Sequence, residues 1–228
     1  MTRQFCLMAA AVTALVAALP SWGEEPLYKQ FQPAISTHKP ESIEWSNYMS
    51  FDTPDTDTPR LLLIGDSICN AYQSRVRPLL DGRMTMTFWA SSKCATSPEY
   101  FRALDMVLSM EKFSVISFNN GLHSLSADPA EWETAYRGIV KFIRAKCPEA
   151  KLYLTLSTPL KDPALTAKSK ALNQIVCQVA SEEGLPTIDL FSVMDPLDRG
   201  EFWSDTFHFH GPAIEKQAQT IVETVLGE

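Results

Sequence analysis

The sequence predicts an α/β fold, a five-stranded parallel sheet held between two layers of helices, and three observations predict it. Strand-like and helix-like stretches alternate from residue 60 to the end of the chain, and such alternation builds a parallel sheet with helices on both faces. The first of those strands, Leu61-Leu62-Leu63-Ile64, is apolar at every position, as a strand covered on both sides must be. The helical stretches carry stop and start signals of their own, such as Asp128 before Pro129 and Gly184 after Glu183.

Taken in order, the first strand covers 60–65 and runs into the corner Gly65-Asp66-Ser67, where glycine permits a sharp turn. A helix is expected over about 70–80. Met84-Thr85-Met86-Thr87-Phe88-Trp89 is a β-rich second strand. Ser97-Pro98-Glu99 opens the next helix with a serine cap, a first-turn proline and an early acid, and Phe101, Leu104, Val107 and Leu108 give it an apolar face. Residues 113–119 form the third strand. A long helix over 129–146 is capped by Asp128 and stopped at Cys147-Pro148. The fourth strand is 152–156, a helix over about 165–183 ends at Gly184, a short fifth strand covers 187–190, and the last helix follows Gly211-Pro212 to about Val225. Five such strands suit a flavodoxin-like order, in a three-layer α/β/α sandwich, with the ligand crevice beside the first strand.

Two segments precede this domain. Residues 1–23 have a basic start at Arg3, an apolar run from Cys6 to Leu19 and small residues in Pro20-Ser21-Trp22-Gly23, the layout of a secretory signal peptide. The apolar run is shorter than the roughly 20 residues of a membrane span, so no stable membrane insertion is expected after cleavage; an uncleaved anchor is the alternative. The expected location is secreted or periplasmic. Residues 24–59 are punctuated by prolines, Asp and Thr, which prevents a long helix. They read as an extended N-terminal arm anchored by Tyr28, Phe31, Trp45, Tyr48 and Phe51, leaving 60–228 as the domain proper.

The net charge of −7 becomes about −8 without the leader, a poor match to nucleic acid, which calls for basic patches. Four cysteines remain beyond residue 23, allowing three connectivities in an oxidising compartment; the pairs Cys69–Cys94 and Cys147–Cys177 join neighbouring elements, and buried thiols are the alternative.

A serine at the carboxyl edge of the first strand is placed to be a nucleophile, and a nucleophilic serine needs a general base that is itself oriented by a carboxylate. The loop Trp203-Ser204-Asp205-Thr206-Phe207-His208-Phe209-His210-Gly211, just before the last helix, supplies Asp205 and His208 three residues apart. His210 competes for the role of base, His38 reads as a surface residue of the arm, and Asp205, His208 and His210 could alternatively ligate zinc.

Gly65-Asp66-Ser67 after the first strand, paired with Asp205-x-x-His208 before the last helix, resembles the SGNH (GDSL) hydrolase family over about 61–228. The resemblance implies an esterase without a cofactor, in which Ser67 attacks the acyl carbon, His208 takes its proton and Asp205 orients His208. It also implies an oxyanion hole built from the serine's own N–H, a glycine N–H after the second strand and an asparagine in a Gly-x-Asn-Asp turn after the third. This sequence departs from that pattern. Ala90-Ser91-Ser92-Lys93-Cys94 holds no glycine, leaving Ser91 or Ser92 to supply the N–H. Asn119-Asn120-Gly121-Leu122-His123 puts His123 in the asparagine's place, with Asn119 or Asn120 as alternatives, and resembles an Asn-x-Gly-Leu-His third block found in one branch of the family. The expected donors are Ser92, Asn120 and His123.

Aromatics gather around the expected mouth: Trp89, Tyr100, Phe101, Trp203, Phe207 and Phe209, at least half of them expected in the core. An exported member with such a mouth suggests a small-molecule or polysaccharide ester as substrate, above all an acetyl ester on a carbohydrate. Two other readings share the fold: a non-catalytic glycan-binding or assembly protein, and an acyltransferase.

Overall fold

The computed structural model describes residues 25–37 and 40–227; the expected signal peptide and His38 lie outside the described residues. Six strands, β1 (Ser46–Ser50), β2 (Arg60–Gly65), β3 (Thr85–Ser91), β4 (Val115–Phe118), β5 (Lys151–Thr155) and β6 (Thr187–Ile188), form one sheet in the order β1-β3-β2-β4-β5-β6. The helices are α1 (Ser67–Leu79), α2 (Tyr100–Met110), α3 (Pro129–Lys146), α4 (Pro163–Glu183), α5 (Leu190–Met194), α6 (Arg199–Phe202) and α7 (Gly211–Leu226). β2 to β6 are parallel and have the flavodoxin-like order, in a three-layer α/β/α sandwich.

The expectation of five strands is corrected to six. β1 comes from the arm and pairs antiparallel with β3, so the sheet is mixed. The β-forming run Trp45–Phe51, rich in aromatic residues, carried that signal, but the prolines on either side made the whole arm read as irregular. The arm is anchored further along its length. Tyr28 is buried against Phe142, Glu131 of α3 accepts from the Ser36 and Thr37 hydroxyls, and Phe51 stacks on Phe88.

β2 positions the site because both of its faces are sealed. Leu62 and Ile64 enter the core shared with α2, α3 and α4; Leu61 and Leu63 enter the core shared with α1 and α7, as the period-2 alternation of a strand requires. Each of these four side chains contributes about 1.5–3 kcal/mol by leaving water. At the amino end of the strand Arg60 is buried and its guanidinium donates to the carbonyls of Phe51 and Asp52 while facing Glu111. From β2 the chain passes to β3 on one side, whereas β4 pairs on the other. The order therefore reverses at β2, and a crevice opens beyond its carboxyl end.

All four cysteines among the described residues are free thiols, which corrects the two expected disulfides. Cys69 sits in the core on one face of the sheet and Cys94 in the core on the other, so the sheet itself separates them. Cys94 instead contacts the hydroxyls of Thr96 and Ser124, and burial pushes the Cys69 thiol up to about 12. Cys177 is exposed on α4, while Cys147 is half-buried at the end of α3. No helix among the described residues is long and apolar enough to cross a membrane.

The β2–α1 junction is closely packed. A Cβ on Gly65 would lie 2.5 Å from Cys69 Cβ, an atom fixed to the helix backbone that cannot rotate away. Gly65→Ala is expected to destabilise the fold by about 1–3 kcal/mol, the usual cost of overpacking, read as a lower urea midpoint at unchanged m-value; an unaltered midpoint would contradict that packing.

Candidate active site

Strand β2 ends at Gly65 and α1 begins only two residues later, because Asp66 caps the helix. Its Oδ1 accepts from Ile68 N at 2.9 Å and its backbone is extended, as an N-cap residue's is. Ser67 is therefore the first residue of α1, three residues earlier than the expected start of that helix. Its N–H belongs to the first turn, where no intrahelical carbonyl can accept it, at the positive end of the helix dipole.

The partners of Ser67 arrive from the far end of the sequence on a loop folded back on itself. Ser204 N donates to His208 O, His210 N donates to Phe202 O, and the Trp203 and Phe209 rings pack at 4.5 Å, both buried. With those two rings turned into the core, residues 205–208 form an outward tip. Lys161 N donates to Thr206 O and ties the tip to the loop after β5.

Asp205 organises this tip with both oxygens. Oδ1 accepts from the N–H groups of Phe207 and His208 at 2.7 and 2.8 Å, while Oδ2 lies 2.8 Å from His208 Nδ1. His208 Nε2 lies 2.8 Å from Ser67 Oγ. Partial burial works against the Asp205 charge, but the hydrogen bonds from the His208 ring and from the His208 and Phe207 N–H groups outweigh it and hold the carboxyl at about 2. Asp205 is thus ionised wherever an imidazole titrates, and it can only accept from Nδ1–H. That fixes the neutral tautomer with a lone pair on Nε2, directed at the Ser67 hydroxyl. His210 is exposed, makes no side-chain cap and stands at the N-terminus of α7.

The other expected residues occupy the neighbouring loops, and each is engaged by the protein. Ser92 N donates to Trp45 O; its hydroxyl accepts from Trp45 N and donates to Glu44 Oε2 at 2.7 Å. Asn120 is buried: its Oδ1 accepts from Ala95 N and the Ser124 hydroxyl, and its Nδ2 donates to Lys93 O. Asn119 Nδ2 donates to Thr155 O and Ser157 Oγ. His123 Nδ1 lies 2.6 Å from Glu41 Oε1, and its ring meets Trp45 edge-on, while Nε2 is buried without a partner. Gly121 is required by close approach, since a Cβ there would lie 1.8 Å from Ser157 Oγ.

Glu41, Glu44 and Trp45 thus brace the loops after β3 and β4 from the arm. Trp45 was expected as an anchor of the arm, whereas Glu41 and Glu44 carried no local sign of this role, since their partners lie about 50 to 80 residues away. Of the six aromatics expected near the mouth, Trp89, Tyr100, Phe101, Trp203 and Phe209 are core, and Phe207, 37% exposed beside His208, is the one that meets solvent.

No protein-family model matches the chain, and no curated protein matches it. Solved structures do. The acetyl xylan esterase AlAXEase superposes with a TM-score of 0.64 at 16% identity, over 73% of this chain and 99% of that one. An acetylxylan esterase from Geobacillus stearothermophilus gives 0.60 at 14% identity, over 75% and 96%. A GDSL-like lipase from Bacteroides thetaiotaomicron gives 0.59 at 12% identity, over 74% and 88%. At these identities the likeness is one of fold.

Asp205→Asn is expected to reverse the imidazole. The amide would donate to Nδ1 and move the ring proton to Nε2, so nitrogen-resolved NMR of His208 should show Nδ1–H in the wild type and Nε2–H in the variant. An unchanged tautomer would contradict the orientation described.

Proposed function

We propose that this chain is a serine ester hydrolase of the SGNH (GDSL) family, acting on an acyl ester, most simply an acetyl group on a carbohydrate. The observation that carries the reading is the chain of contacts Asp205–His208–Ser67, with 2.8 Å at each side-chain step. In this reading the Ser67 oxygen attacks the ester carbonyl while its proton passes to His208 Nε2, and Asp205 stabilises the imidazolium so formed. His208 then returns the proton to the leaving alcohol. Water, activated by the same nitrogen, hydrolyses the acyl-enzyme. The exposed tip that carries His208 leaves room for a bulky alcohol such as a sugar, and Phe207 offers it an aromatic face.

The developing oxyanion needs donors on the α1 side, and the Ser67 N–H at the helix terminus is the first we assign. We place Ser92, Asn120 and His123 around the same region. Ser92 and Asn120 act there by holding their loops, and His123, with Nδ1 on Glu41, retains an unpartnered Nε2 that donates only when both ring nitrogens carry a proton. The acetylxylan esterase activity named for two of the structures of like fold supports an acetylated glycan as substrate. We further propose export to the periplasm or the medium, on the pattern of residues 1–23.

One observation favours a second reading, a glycan-binding or assembly protein on the same fold: the Ser92 N–H and the Asn120 amide donate to the protein itself. p-Nitrophenyl acetate decides between the two. The esterase reading expects Ser67→Ala to lower turnover about a thousandfold or more, and a fluorophosphonate probe to label the wild type alone. Turnover that does not depend on Ser67, together with no labelling, would leave the binding reading.

A further inference from the structure

Beside the Ser67 turn lies a narrow cavity with about 10 Å³ available to the centre of a water molecule. It is lined by Asp66 and Ile68 of the turn, Tyr72 of α1, Leu122 after β4 and Thr158 after β5. Two of its lining side chains are at least nine-tenths buried and hold an oxygen without a hydrogen-bond partner, Asp66 Oδ2 and Thr158 Oγ1. Other polar side chains of the lining have protein partners: Asn119 Nδ2 donates to Thr155 O and Ser157 Oγ, Thr155 pairs with Ser117, and the Tyr72 hydroxyl pairs with the Cys69 thiol. Buried polar groups are as a rule bridged by protein or water, and a cavity of about this size lined by two unpartnered oxygens suits one water.

We propose that this cavity is a binding site for a single water molecule, which accepts from the Thr158 hydroxyl and donates to Asp66 Oδ2, and that Thr158 is through it a positioning residue for Ser67. The two ends of the bridge differ in kind. Thr158 stands on a rigid platform: its carbonyl accepts from Ser169 Oγ, and the adjacent Ser157 is held on both sides by Asn173, whose Oδ1 takes Ser157 N and whose Nδ2 donates to Ser157 O. Asp66 belongs to the turn that carries Ser67, since its other oxygen caps Ile68 and so sets where α1 begins. The water ties the second carboxylate oxygen to the platform and stops the cap from rotating, which holds Ser67 Oγ at its distance from His208. A fixed nucleophile matters for the reacting geometry and not for holding substrate, so loss of the bridge acts on kcat.

The test has a structural arm and a kinetic arm. A high-resolution crystal structure of the wild-type chain should show one ordered water within hydrogen-bonding distance of Asp66 Oδ2 and Thr158 Oγ1; a cavity without density overturns the proposal. This arm is independent of the esterase reading and stands if that reading fails. Thr158→Val, nearly equal in shape, should lose the water and lower kcat on p-nitrophenyl acetate about tenfold, with KM within about twofold. Thr158→Ser, which keeps the hydroxyl, should retain both the water and the wild-type kcat. If Thr158→Val keeps the full kcat after losing the water, or raises KM alone, the positioning role is wrong.

Discussion

Asp66 stands where a strand sealed on both faces becomes a helix, and its carboxylate decides how abrupt that change is. By accepting the Ile68 N–H it ends β2 and starts α1 within two residues, so that Ser67 is lifted out of the sheet on the first turn of a helix. The other parts of the site depend on that position. Gly65 admits the close approach of Cys69 beneath the turn, the reversal of strand order opens the crevice above it, and the loop before α7 brings His208 to its hydroxyl. A partly buried hydrogen bond of 2.8 Å between residues 141 apart holds because both ends are anchored, one by the cap and the other by the buried rings of Trp203 and Phe209.

Asp205 performs the same kind of double duty at the other end of the chain. One oxygen folds the 205–208 tip by accepting two backbone N–H groups, and the other orients the imidazole. Loop shape and ring orientation are therefore a single feature, which is why three residues suffice to aim both side chains at one point.

The parallel strands and the long helices were legible in the sequence because their signals are local: an apolar run for β2, a cap and stop for α3, Gly184 in left-handed conformation after α4. So was the pairing of Ser67 with Asp205 and His208, because each sits beside such a signal. Less legible was whatever depends on distant partners. Strand β1 is held by pairing to β3, and neither Glu41 nor Glu44 announces the loop it braces. The cysteine pairing failed for a related reason. Nearness of elements along the chain says nothing about which face of the sheet a side chain enters, and Cys69 and Cys94 enter opposite ones. The sequence reads Gly65-Asp66-Ser67 as a corner, whereas Asp66 is the residue that caps α1 and Ser67 already belongs to its first turn.

The central claim is that Ser67 is the atom-bearing nucleophile of an acyl-transfer reaction, and covalent trapping tests it most directly. The chain is mixed with an activated acetyl ester, quenched in acid within the first turnover, digested and sequenced by mass spectrometry. The account predicts an acetyl group on Ser67, accumulating in the wild type and absent from Ser67→Ala. Acetylation found on another residue, or none in a protein that still turns the ester over, would contradict it.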